Sequence, residues 1–186
     1  MLVHSNYEVI GPTGRVIQRA RARHSRDARD IAFTGGQAPV LSATLLSRAL
    51  LERVGGFDPN LWVSEDCDLL TRLYDVAKFE CIDRILVHKF RQIHGHGDIP
   101  CDERTHREKV LSSRKRFLKR LQSRPTLNKQ QRLALNREGC SYYLLKGASE
   151  ERLGKWAEAR KQYLVAIQKE PFRIRGYTRL LRAARL

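Results

Sequence analysis

The spacing of hydrophobic positions changes several times along this chain of 186 residues. Residues 4–10 and 15–17 are rich in strand-forming side chains and flank a Gly-Pro-Thr-Gly turn, which predicts two short strands joined by that turn. Residues 64–73 place leucines on one side of a helix that begins at Ser64, a favoured N-cap. We therefore expect the first part of the chain to be of the α/β class.

After residue 100 the spacing becomes helical. Residues 103–121 place apolar side chains on one face and Lys or Arg on the others, which predicts a basic amphipathic helix. Helical sequence resumes near residue 126, turns at residues 153–155 and stops at Pro171, and residues 173–186 predict a last helix. The second part is therefore expected to be all-α.

A turn signal and a pair of carboxylates stand out in the first part. Gly55-Gly56-Phe57-Asp58 predicts a sharp reversal after a short helix, and Glu65 and Asp66 then fall in the first turn of the next helix. The helix dipole favours negative charge at that position. Taken alone, the pair is therefore explained by charge complementation of the helix.

Together with its surroundings, this stretch resembles the family 2 glycosyltransferases. In that family a strand and a short helix lead into Gly-Gly-Phe-Asp, and a Glu-Asp pair, Asp/Trp-Leu, Arg-Leu, a short strand and a closing Tyr-Arg-x-His follow. The matching positions keep this order, and they are Gly55 to Asp58, Glu65, Asp66, Asp68, Leu69, Arg72, Leu73, residues 78–82 and residues 90–94. The resemblance covers roughly residues 1–97 and implies a partial GT-A fold, its second half.

For the chemistry, the resemblance implies an inverting transfer from a nucleotide sugar to the hydroxyl of a glycan or lipid-linked acceptor. Asp66 matches the base that takes the hydroxyl proton as the oxygen attacks the anomeric carbon, and Glu65 would orient that base or tune its charge. Arg91, His94 and Asp68 would bind the acceptor or the diphosphate.

The family also implies a divalent cation, Mg²⁺ or Mn²⁺, whose ligands would lie mostly outside this chain. Asp66-Cys67-Asp68 also spells the Asp-x-Asp metal motif of these enzymes, so a second interpretation makes it a cation clamp on the diphosphate. In the family that motif ends a strand in the first half of the fold. Here it falls on a predicted helix, where side chains two residues apart differ in direction by about 200°.

The first half of the family's fold, with its nucleotide pocket and metal motif, has no counterpart in these residues. We therefore expect this chain alone to be inactive. A truncated gene, a late start codon and a separately encoded first half are three explanations that the sequence leaves open.

Charge changes near residue 100. Residues 1–100 contain 13 Lys or Arg against 12 Asp or Glu, whereas residues 101–186 contain 23 against 8. We expect residues 1–100 to form the transferase part and residues 101–186 a basic helical domain. The basic helix would lie on an anionic membrane surface or pack its apolar face on the α/β part. Nucleic acid is not an expected partner, because aromatic residues do not interleave with the basic ones.

The tail also resembles a tetratricopeptide repeat at about residues 140–173. The positions that carry this resemblance are Tyr143, Gly147, Gly154, Trp156, Ala159, Tyr163, Ala166 and Pro171. It implies two antiparallel helices that approach closely at small residues, and a protein partner. An interaction adaptor with a degenerate transferase remnant is therefore the alternative to an enzyme.

No stretch approaches the ~18 consecutive apolar residues of a membrane-spanning helix. The four cysteines show no Cys-x-x-Cys spacing, which predicts reduced thiols. We expect a cytoplasmic protein, with peripheral contact to the inner face of the membrane as an option.

Overall fold

The structure is a computed structural model that describes residues 1–21, 39–90 and 103–184. It divides into two compact units, one of Met1–Pro59 with Ser64–Cys101 and the other of Asn60–Val63 with Asp102–Leu186. Within the ranges just given, none of the helices combines the length and apolar character needed to cross a bilayer.

A four-stranded sheet organises the first unit around β1 (Leu2–Ile10). β3 (Thr44–Leu46) pairs antiparallel with the first residues of β1, and β2 (Val16–Ala20) pairs antiparallel with its second half. β4 (Phe79–Phe90) runs parallel to β1 along its whole length. The central position of β1 explains why even its polar residues are buried.

The parallel pairing of β1 with β4 needs a crossover connection, which a hairpin cannot supply. This connection contains β3, a 3₁₀ turn at Leu41–Ala43, and the helices α1 (Arg48–Arg53) and α2 (Glu65–Leu73). The predicted mixed α/β class is therefore confirmed. The strand expected at residues 78–82 is the start of a strand of 12 residues, because β1 offers it a partner over nine residues.

Leucines from α1, α2 and the sheet form the core of the first unit. The fully or nearly buried members are Leu2, Leu50, Leu69, Leu70, Leu73, Tyr74 and Phe79. The rings of Tyr74 and Phe79 are stacked with centroids 4.2 Å apart. Each buried side chain of this size contributes about 1.5–3 kcal/mol of transfer free energy, so this cluster fixes α2 on the sheet.

Four helices form the described part of the second unit: α3 (Glu103–Gln122), α4 (Lys129–Arg152), α5 (Trp156–Lys169) and α6 (Ile174–Ala184). A capping box begins α4, in which Asn128 and Gln131 exchange hydrogen bonds between side chain and backbone. The predicted helices of the tail are therefore present, and the turn between α4 and α5 falls at residues 153–155 as expected.

The contacts between α4, α5 and α6 show that successive helices are antiparallel. A Cβ at Gly147 of α4 would meet Tyr163 of α5, and a Cβ at Gly139 would meet Lys169 further along α5. Arg160 near the start of α5 donates a hydrogen bond to the carbonyl of Ala183 near the end of α6. Buried small residues let these helices approach closely, because they leave room for the facing side chains.

A buried carboxylate ties the three helices together. Glu151 of α4 accepts a hydrogen bond of 2.6 Å from the Tyr163 hydroxyl and pairs with Arg179 and Arg182 of α6. Burial acts to raise the pKa of Glu151, but the hydroxyl and the two guanidinium groups together lower it. Burial and the hydrogen bond to Glu151 raise the pKa of Tyr163 well above its ordinary range.

The short segment Asn60–Val63 belongs to the helical unit although it precedes α2 in the chain. The backbone N–H of Trp62 donates to Ser113 Oγ of α3 at 2.8 Å. The indole ring lies edge-on to His106 with centroids 4.9 Å apart, and Lys109 Nζ lies 4.8 Å from the ring centroid. A hydrogen bond, an aromatic contact and a cation–π contact therefore fix Trp62 on α3.

Candidate functional site

The Gly-Gly turn lies between α1 and α2 in the first unit. Ser47 caps α1 by accepting a hydrogen bond from the Leu50 N–H, and the helix ends at Val54. Gly55 and Gly56 follow with φ of 77° and 65°. Both lie in the left-handed region, where a Cβ costs about 1 kcal/mol or more, so the sequence requires glycine there.

Arg72 of α2 holds this turn in place. Its guanidinium donates to the carbonyls of Val54 and Gly56, the latter at 2.7 Å. It also pairs with Asp68 one helical turn earlier, with Nη2 2.8 Å from Oδ2. Because the turn and the carboxylate share one guanidinium, the second half of α2 is held against the end of α1.

Ser64 occupies the N-cap position of α2, as the sequence predicted, but its side chain makes no capping hydrogen bond. Its backbone is left-handed, with φ of 64°, and it is the one non-glycine residue with positive φ among the described residues. That conformation costs about 1–2 kcal/mol for a residue with a Cβ. Local strain therefore immediately precedes the candidate carboxylates.

Glu65 and Asp66 form the first turn of α2, and both side chains are partly buried. Asp66 Oδ1 accepts a hydrogen bond of 2.7 Å from the N–H of Cys67. Its other oxygen, Oδ2, and the Glu65 carboxylate have no hydrogen-bond or ion-pair partner in the part of the chain described. The backbone therefore orients one oxygen of Asp66 and leaves the second one open.

Asp68 differs from Asp66 in every respect that matters for ligand binding. It has no exposed surface, and its carboxylate is paired with Arg72. The expected role of Asp68 in binding acceptor or diphosphate therefore has no accessible carboxylate to support it. Its place is in the clamp on the Gly-Gly turn.

The same geometry decides whether these residues fit a divalent cation. In the Asp66-Cys67-Asp68 triplet, one carboxylate is buried in an ion pair and the other lies on a different side of the helix. Over residues 1–21, 39–90 and 103–184, no group of three His, Cys, Asp or Glu side chains is placed to hold a metal ion. The triplet therefore does not fit a cation clamp.

The two remaining predicted site residues, Arg91 and His94, lie outside the described residues. Their expected contact with acceptor or diphosphate stays a prediction.

A polar cluster between β1 and β4 was not anticipated from the sequence. Asn6 Nδ2 donates to Asp83 Oδ1 at 2.7 Å, and Asn6 Oδ1 lies 3.9 Å from Cys81 Sγ. His4 is buried beside Cys81 in the strand register, and burial lowers its pKa, whereas burial and the charge of Asp83 raise the pKa of Cys81. The cluster therefore joins two buried side chains of β1, His4 and Asn6, to the partly buried Cys81 and the exposed Asp83 of β4.

No family model, curated protein or solved structure matches this chain. The similarity to family 2 glycosyltransferases therefore rests on the residues quoted from the sequence, and the activity it implies is a proposal.

Proposed function

We propose that the first unit is the acceptor side of an inverting glycosyltransferase that uses a nucleotide sugar, and that Asp66 is its general base. One observation carries the proposal. Of the carboxylates at the start of α2, Asp66 alone has one oxygen held by a backbone N–H and the other open, whereas Asp68 is fully buried in an ion pair. A base must be oriented and must also be reachable by its substrate.

The division of labour follows from these contacts. The hydrogen bond from the Cys67 N–H fixes the Asp66 carboxylate at the start of α2. Oδ2 takes the proton of an acceptor hydroxyl while that oxygen attacks the anomeric carbon, and the nucleoside diphosphate leaves on the opposite side. Glu65, the neighbouring carboxylate, orients that base for the acceptor hydroxyl.

A nucleotide-binding half is required by this proposal. The exposed apolar side chains of β4 support it, since Ile82, Leu86 and Phe90 are 42%, 55% and 71% exposed. An adjoining α/β half would bury these side chains, whereas their exposure to water is unfavourable.

The test joins this chain to the nucleotide-binding half of a family 2 enzyme placed ahead of Met1. Transfer is measured with a panel of labelled nucleotide sugars, and donor affinity is measured separately by calorimetry. We expect Asp66→Asn to lower turnover by roughly two to four orders of magnitude while donor affinity changes little, because the substitution keeps shape but removes the proton acceptor. Glu65→Gln is the matched neighbour and should cost much less.

Two results would overturn the assignment. Turnover of Asp66→Asn close to that of the parent protein would remove Asp66 as the base. If the fusion binds the donor but transfers no sugar to any acceptor, the proposed transferase activity is wrong.

An adaptor role for the second unit is the other candidate, with a tetratricopeptide-like helix pair as its framework. The observation in its favour is an exposed apolar strip at and before α6, where Phe172, Ile174 and Leu181 are 97%, 76% and 64% exposed. Affinity capture should retain a defined protein on the parent chain and lose it on Ile174→Ser/Leu181→Ser. Equal retention by both proteins would contradict an adaptor function of this strip.

A further inference from the structure

The second unit contains a cavity of about 330 Å³ whose lining includes an unusual concentration of guanidinium groups. Four arginines from three separate parts of the unit line it, and they are Arg114, Arg173, Arg175 and Arg179. Arginine side chains repel one another, and carboxylates of Glu138, Glu151 and Glu170 offset only part of that repulsion. The convergence of four of them on one concave surface therefore requires an explanation.

Two of these arginines are held in position by neighbouring side chains. Arg173 Nη1 donates to Ser141 Oγ at 3.0 Å and to Glu170 Oε2 at 3.1 Å. Arg179 Nη1 lies 3.4 Å from Glu151 Oε2, the carboxylate buried between α4 and α6. Their guanidinium groups are thus preorganised, and little side-chain entropy is lost when they bind a ligand.

The other two arginines have unused binding capacity. Arg114 Nε is buried and has no hydrogen-bond partner in the described structure. Among the described residues, Arg114 forms an ion pair with Glu138, whose Oε2 lies 3.9 Å from Nη1, at the outer limit of an ion pair. The guanidinium of Arg175 has no ion pair among the described residues, and its side chain is exposed. Arg114 is therefore weakly paired and Arg175 has no ion pair within the described ranges, so both guanidinium groups keep N–H donors for a ligand.

We propose that this cavity, which we name the arginine pocket, binds a phosphate-type oxyanion, either a phosphate monoester or a diphosphate. A guanidinium presents parallel N–H donors that match phosphate oxygens. A dianion with several oxygens can pair with more arginines at once than a single carboxylate can. Leu144, Leu145 and Ala148 line the same cavity and exclude water from one side of it. Low local polarity strengthens each charged hydrogen bond.

Binding in the arginine pocket must be distinguished from nonspecific attraction of anions to a basic surface. Calorimetry with the full chain measures binding of inorganic pyrophosphate at constant ionic strength, with sulfate as the competing divalent anion. The test variant is Arg114→Gln/Arg175→Gln, which removes two charges from the pocket. The control is Lys115→Gln/Lys119→Gln, which removes two exposed charges from α3 but leaves the pocket intact.

We expect the test variant to lose at least tenfold in pyrophosphate affinity and the control to lose less than twofold. Arg175→Gln alone, at an exposed position without an ion pair, should lose severalfold, and this single variant keeps the test decisive if the double variant folds poorly. Equal losses in test and control variants would overturn the proposal, as would an affinity for sulfate equal to that for pyrophosphate.

Vesicles separate the two sources of phosphate. If the ligand is a lipid headgroup, the chain should bind vesicles containing phosphatidic acid more tightly than vesicles of equal charge containing phosphatidylserine, and the test variant should abolish the difference. If the ligand is a free phosphate compound, pyrophosphate binds and the two vesicles are equivalent. The proposal is refuted if the chain binds neither pyrophosphate nor phosphatidic acid. It is also refuted if an unphosphorylated acidic peptide binds more tightly than pyrophosphate.

Discussion

Replacing Gly147 by alanine tests how closely α4 and α5 pack. A Cβ at this position would lie 2.4, 2.7 and 2.9 Å from Cε1, Cδ1 and Cζ of Tyr163. Carbon atoms prefer separations of about 3.5–4.0 Å, so the ring would have to move by about 1 Å. The ring is fully buried and its hydroxyl is hydrogen-bonded to Glu151, so it has little room to move.

The size of the effect follows from two opposing contributions. Overpacking of a well-filled core costs about 1–3 kcal/mol, and three short contacts place this substitution near the upper end. Alanine regains about 1 kcal/mol of helix propensity over glycine. We therefore expect Gly147→Ala to lower the free energy of unfolding of the second unit by about 2 kcal/mol.

Gly139 provides a matched control on the same helix. A Cβ there would meet only Lys169 side-chain carbons at 3.7 Å, which is ordinary van der Waals contact. Gly139→Ala should therefore raise stability by up to about 1 kcal/mol, because the propensity gain has no opposing clash. The predicted difference between the two variants is about 3 kcal/mol.

Urea denaturation followed by tryptophan fluorescence measures this difference selectively. The chain has two tryptophans, and both Trp62 and Trp156 belong to the second unit. Far-ultraviolet circular dichroism then checks that helix content is unchanged. If Gly147→Ala proves as stable as Gly139→Ala, the close approach of α4 to Tyr163 is not a feature of the folded protein.

Two further predictions concern the first unit. Asp68→Asn should lower the stability of this unit by about 3 kcal/mol, because the substitution leaves the largely buried charge of Arg72 unpaired and loosens the Gly-Gly turn. The control, Asp66→Asn, should change stability by less than about 0.5 kcal/mol. Hydrogen exchange of the α2 amides measures both, and equal protection in the two variants would contradict the clamp. Burial lowers the pKa of His4, so in acid the unfolded chain binds more protons than the folded chain. The stability of this unit should therefore fall as the pH drops through about 6.5, the ordinary pKa of histidine. His4→Gln should flatten that dependence in urea titrations between pH 7 and 5, and an unchanged slope would assign it to other groups.

Local signals in the sequence were sufficient for the turns and for most helices. Gly55, Gly56 and Gly154 all have positive φ, as expected for glycines at predicted turns. The helix α5 ends at Lys169, two residues before the proline that was expected to stop it. Caps and turns depend on residues at most four positions apart, so their physics is contained in a short stretch of sequence.

Signals for the site were only partly readable. The spacing of Asp68 and Arg72 is that of a helical ion pair, so their contact was available to sequence reasoning. The hydrogen bonds from this guanidinium to the carbonyls of Val54 and Gly56 could not be predicted from the sequence, because they depend on how α1 packs against α2. Sequence resemblance assigned Asp66 as the base and Asp68 as a binding residue, and the burial of Asp68 became visible only in the folded chain.

Sequence patterns were enough to predict the mixed α/β class of the first part, the helical character of the second and the placement of Glu65 and Asp66 at a helix start. Tertiary structure decided the parallel pairing of β1 with β4, the burial of Asp68 and the assembly of four arginines around one cavity. The physical reason is range. Propensity and capping act between near neighbours, whereas strand pairing, burial and the meeting of distant charges depend on which surfaces the folded chain brings together.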